Sequence, residues 1–158
     1  MINRFFVLFA ASTLSAWSAS PETLQMECGP SKGYSYTAAE GQVPMEGSGW
    51  STDQISTGLS VFELDLETGA VRYRWRDARN VWFDAADSAS EIRLLSIDET
   101  DYSWQMLSNF GSVVEVCSFA NVLDDSASSL CVTSRNLDYV HSARTLIASC
   151  NASIIASE

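Results

Sequence analysis

From residue 58 onward, apolar and polar side chains alternate with a period of two over short runs, and Gly, Asp and Asn cluster between the runs. Alternation of that kind belongs to half-buried β-strands, whose successive side chains point to opposite faces of a sheet. The first hairpin spans 60–76. Its turn, Asp65-Leu66-Glu67-Thr68-Gly69-Ala70, carries a glycine able to take positive φ. Setting Asp65 opposite Ala70 places Phe62 against Tyr73, Leu64 against Val71 and Ser60 against Trp75. The other face then receives Glu63 against Arg72 and Val61 against Arg74. One register sorts most apolar residues to one face and most charges to the other, as a hairpin with one buried face requires.

The pattern continues. Residues 91–97 turn at Asp98-Glu99-Thr100 into 101–108, and Asn109-Phe110-Gly111 leads into 112–120. A turn centred on Phe110 sets Met106 against Val114 and Trp104 against Val116. Ile92, Leu94, Tyr102, Trp104, Met106, Val114, Val116, Leu130 and Val132 then share an inner face. Leu95, Leu107 and Phe119 fall on the opposite one. Strands are also expected at 34–38 and 81–85. Residues 137–150 fit a strand better than a short helix. The predicted fold is all-β: an antiparallel meander of about eight strands forming a small lipocalin-like barrel, with a β-sandwich as the alternative. Eight strands enclose an interior that side chains fill or one small ligand occupies.

The first 18 residues read differently. Arg4 precedes a short apolar run, and Ala16-Trp17-Ser18 supplies the small-x-small pattern of a signal-peptidase site. Cleavage is expected after Ser18, or at Ala19 or Ser20, leaving 19–158 as a single β domain. The apolar run is shorter than the roughly 20 residues of a membrane span, and Glu27 before Cys28 does not fit a lipid-attachment box. The protein is therefore expected to be exported, periplasmic or secreted, with no membrane span.

Export changes the reading of the four cysteines, which should form two disulfides. Cys117 and Cys131 are equidistant from residue 124 and face each other if the intervening segment is a hairpin. Cys28 and Cys150 are left to tie the two ends of the domain together. No C-x-x-C or H-x-x-x-H spacing points to a metal, and no cofactor motif is present. The net charge is −11, which argues against nucleic acid, since phosphate binding needs a basic face. Loss of residues 1–18 removes Arg4 alone, leaving 8 basic against 20 acidic side chains, a charge of −12. Lys32 is the single lysine.

Cys28-Gly29-Pro30-Ser31-Lys32-Gly33-Tyr34, Gly49-Trp50-Ser51-Thr52-Asp53-Gln54-Ile55 and the segment 74–95, with its Asp77-Ala78 turn and Ile92-Arg93-Leu94-Leu95 strand, resemble a family of small exported bacterial β proteins. That family carries no assigned activity. The resemblance implies a secreted β protein and no catalytic residue.

Candidate chemistry is sparse. Phe62, Tyr73, Trp75, Tyr102 and Trp104 land on inner faces, where they either pack a core or line a ligand cavity. Arg72, Arg74 and Arg76 alternate on one strand, at intervals of about 7 Å. They form either an anion site or a solvated face paired with acids such as Glu63. The acidic groups at 84–87, 98–101 and 124–125 read as turn residues, without the alternating ligands of a calcium loop. His141 is the single histidine, and a hydrolase would need it as base, yet no G-x-S-x-G elbow accompanies it. These observations favour a non-enzymatic binder of a small hydrophobic or anionic ligand, or of an envelope protein. The alternatives are an interaction module without a cavity and a hydrolase using His141.

Overall fold

The computed structural model describes residues 22–39, 45–137 and 140–156. The expected signal peptide and its cleavage site lie outside these. Among the described residues ten strands form one antiparallel sheet: β1 (Glu22–Thr37), β2 (Gly49–Ile55), β3 (Leu59–Asp65), β4 (Val71–Arg76), β5 (Trp82–Asp84), β6 (Glu91–Ile97), β7 (Trp104–Asn109), β8 (Val113–Ala120), β9 (Ser128–Leu137) and β10 (Val140–Ala156). Their order is β5-β4-β3-β1-β10-β9-β8-β7-β6, with β2 on the same edge of β1 as β3. The sheet curls into a half-barrel whose β4 and β6 approach each other without a hydrogen-bonded ladder. The fold is all-β and barrel-like as the alternation predicts, and it is one sheet, not a sandwich.

The topology departs from a simple meander at the two ends of the chain. β1 and β10 pair along nearly their whole length in the middle of the sheet, and Cys28 stands directly opposite Cys150. Both predicted disulfides form, Cys28–Cys150 and Cys117–Cys131. β1 shifts register between Cys28 and Ser31, at Gly29-Pro30. Its partner on the far edge changes there from β3 to β2. Proline lacks an N–H, so a bulge at the junction of two partners loses no ladder bond.

The predicted register of β3 and β4 holds at every pair, from Ser60↔Trp75 to Leu64↔Val71. That of β7 and β8 does not. Met106 pairs with Cys117 and Trp104 with Phe119, because the turn closes between Phe110 and Val113, with the Asn109 side chain accepting from the Gly111 N–H, and is longer than a three-residue turn centred on Phe110. The slip is an odd number of residues, so it exchanges the faces of β8. Phe119 enters the core, while Val114 and Val116 move to the outer face in line with Leu130 and Val132, which are exposed.

The core is built from Leu24, Met26, Phe62, Leu64, Trp104, Met106 and Phe119 together with both disulfides. Val122 and Ala127 of the β8–β9 loop join it, and Cys150 donates its N–H to the Ala127 carbonyl. A chain of aromatic contacts crosses the interior. Trp104 stacks on Phe119 (ring centroids 4.1 Å apart), Phe119 meets Phe62 edge-on (4.8 Å), and Phe62 stacks on Tyr73 (4.5 Å). Trp75 extends the chain to Phe83 and Phe110. Such pairs contribute about 0.5–1.5 kcal/mol each beyond area burial.

A candidate binding trough on the concave face

Beyond the aromatic core, the concave face turns polar. β1, β2, β7, β8, β9 and β10 bring one ladder row together there: Ser51, Ser35, Arg144, Thr133, Glu115 and Ser108. The next row toward the open end holds Thr37, Ser142 and Arg135. The row below holds Asp53, Gly33, Leu146 and the Cys131–Cys117 pair. The polar rows arise from the bulge at Gly29-Pro30. Before it, even-numbered residues of β1 (Leu24, Met26, Cys28) face inward; after it, odd-numbered ones do, delivering Ser31, Ser35 and Thr37.

Inside these rows lies a cleft of about 150 Å³, lined by Ser35, Thr37, Asp53, Thr133, Arg135 and Arg144 among others. Arg144 Nε donates to Asp53 Oδ2 at 2.6 Å, and the Ser35 and Ser51 hydroxyls share a bond of 3.0 Å. Thr133 Oγ1 donates to Glu115 Oε2 at 2.9 Å. Arg135 and Arg144 are diagonal neighbours on adjacent strands, since Arg135 pairs with Ser142 and Arg144 with Thr133. That relation puts their backbones about 7–8 Å apart.

Glu115 links the trough to the interior. Burial pushes its carboxyl above the ordinary value, opposed by the Thr133 bond and the Arg144 charge. Across a small void of about 70 Å³ stands Tyr73. Burial raises the Tyr73 phenol, the Glu115 charge adds to this, and a bond with Ser60 opposes it. Glu115, Cys117 and Cys131 bring their ligand-type atoms within 4.8 Å of one another. The two sulfurs are bonded to each other, so neither can serve as a thiolate ligand.

Phe62, Tyr73, Trp75 and Trp104 belong to the aromatic chain, and Tyr102, at positive φ, packs against the core. Arg74 donates to Glu63 at 2.6 Å. Arg72 lies 4.0 Å from Glu63 and 3.5 Å from Asp84. Arg76 lies over the Trp82 ring at 5.6 Å. His141 stands on the outer face opposite Asn136. Asp65, Asp77 and Asp98 cap turns, and each is held below the ordinary carboxylate value by hydrogen bonds. Thr68 is the main donor to Asp65, Val81 to Asp77 and Thr100 to Asp98.

Sequence reasoning missed Arg135, Arg144, Asp53 and Glu115 as a group. Arg144 and Asp53 lie 91 positions apart, on strands whose ladders are joined only by β1 between them. The available signal was the alternation of Thr133 with Arg135 and of Ser142 with Arg144, which marks one polar face on two neighbouring strands. No helix among the described residues is long and apolar enough to cross a membrane, and the two disulfides fit an oxidising compartment. No family model, curated protein or solved structure matches the chain.

Proposed function

We propose that this is an exported, non-enzymatic binding protein of the periplasm or the extracellular medium. Its ligand is a small oxyanion, a carboxylate or a phosphate, held in the concave trough. One observation carries the reading: two guanidinium groups on adjacent strands flank a cleft that also presents the hydroxyls of Ser35, Thr37, Thr133 and Ser142. Guanidinium forks match the two oxygens of a carboxylate or phosphate, and the hydroxyls can rotate to donate to the remaining lone pairs. The volume of about 150 Å³ is below the roughly 300 Å³ at which drug-sized pockets begin, so the ligand is small. The interior aromatic residues are read as core, because their rings pack on one another.

The test is calorimetric titration of acetate, succinate and inorganic phosphate, with glycerol as the neutral control. At least one anion should bind, with affinity reduced tenfold or more in Arg135→Gln and in Arg144→Gln. Relative affinities distinguish carboxylate from phosphate. No binding by any anion, or binding indifferent to both arginines, would refute the reading.

A further inference from the structure

We infer that the opposite, convex face at the β1–β2 end is a second binding site, for an uncharged glycan chain. Three aromatic rings stand exposed there on paired strands: Tyr34 at 59%, Tyr36 at 38% and Trp50 at 69%. Tyr36 and Trp50 are directly opposite in register, with ring centroids 5.3 Å apart. Tyr34 lies two residues away on the same face, about 7 Å along the strand. Beside Tyr36 runs a shallow groove of about 350 Å³, lined also by Ser134, Asn136 and His141 and sharing Arg135 and Ser142 with the trough.

Rings and groove together match what a sugar presents. The C–H faces of a pyranose stack on flat aromatic surfaces, and its hydroxyls need donors and acceptors at the ring edge, here hydroxyl, amide and imidazole. The rings are fixed by a ladder instead of a loop, so little ordering is lost on binding. Charge selects the kind of glycan. Tyr34, Tyr36, Trp50, Ser134 and Asn136 carry no charge; Lys32, two residues from Tyr34 on the same face, and Arg135 in the groove are the cations near the rings, too few to hold a polyanion against a chain of net charge −11. An aliphatic patch of Leu130, Val132 and Ile147 lies farther across the same face. It lacks the hydrogen-bonding groove and is not part of the proposed site.

The test is affinity electrophoresis of the full chain through gels containing neutral β-glucan, xylan or soluble N-acetylglucosamine oligomers. At least one should retard the protein. Trp50→Ala or Tyr34→Ala should weaken the interaction tenfold or more. Trp82→Ala, which removes an exposed tryptophan on β5, should leave it unchanged, as should Arg144→Gln in the trough. Three results would overturn the inference: no retardation by any glycan, retardation unaffected by Trp50→Ala, or a dimer in sedimentation that Trp50→Ala dissociates in a protein that binds no glycan.

Discussion

Replacing Gly33 by alanine would put a methyl carbon 1.8 Å from the Thr145 carbonyl oxygen and 2.9 Å from its carbonyl carbon. Both atoms are backbone of the neighbouring strand and cannot rotate aside. A carbon–oxygen contact normally settles at about 3.3 Å or more, so β1 and β10 would have to part locally by more than about 1 Å. That displacement breaks or stretches the ladder bonds around Gly33↔Leu146. With about two bonds lost at about 1 kcal/mol each, and overpacking strain of about 1–3 kcal/mol, the expected loss is about 3–5 kcal/mol. Gly29 on the same strand supplies the control. An added carbon there meets nothing closer than 4.0 Å, so Gly29→Ala should stay within about 1 kcal/mol of the parent, in either direction. Urea denaturation of the oxidised proteins reads both, from the midpoint and slope. A Gly33→Ala protein within 0.5 kcal/mol of the parent would refute the close approach of β1 and β10.

Two further outcomes follow from the buried groups. Glu115 has a raised folded value, so the native state holds its proton to higher pH than the unfolded chain; its contribution is most favourable below the unfolded value and is lost as pH rises through the folded one. Glu115→Gln, which retains an acceptor for Thr133, should therefore stabilise the protein at neutral pH, with the gain vanishing in acid; urea midpoints across pH for both proteins check this, and a gain that persists in acid contradicts it. Paired Cys→Ser replacement should cost about 3 kcal/mol for Cys117 with Cys131 and about 4–5 kcal/mol for Cys28 with Cys150, whose loop is far longer. Equal midpoints for the two double variants would contradict that ordering.

Local information made part of the fold legible. The β3–β4 register is specified by Phe62, Leu64, Tyr73 and Val71 on one face and by Glu63 and Arg72 on the other, all within one hairpin. Cys117 and Cys131 carry the β8–β9 register in the same way. The β7–β8 hairpin misled because both faces of β8 are apolar: Val114 and Val116 alternate with Cys117 and Phe119, and hydrophobicity alone cannot choose between registers. β2 escaped notice because it pairs on one edge only and alternates weakly, with Trp50, Thr52 and Gln54 on one face and Ser51 and Asp53 on the other. The trough was hidden for a related reason. Its residues come from six strands, and their common face depends on a one-residue bulge at Gly29-Pro30 that reverses the inward parity of β1.

We propose that the interior of the half-barrel is filled and that ligand recognition falls to the polar trough. Amide-resolved nuclear magnetic resonance during a succinate titration tests it most directly. Shifts confined to Ser35, Thr133, Ser142, Arg135 and Arg144 are the predicted result. Shifts centred instead on Phe62, Tyr73, Trp75, Trp104 and Phe119 would mean that the aromatic interior opens to receive the ligand, and would contradict the account.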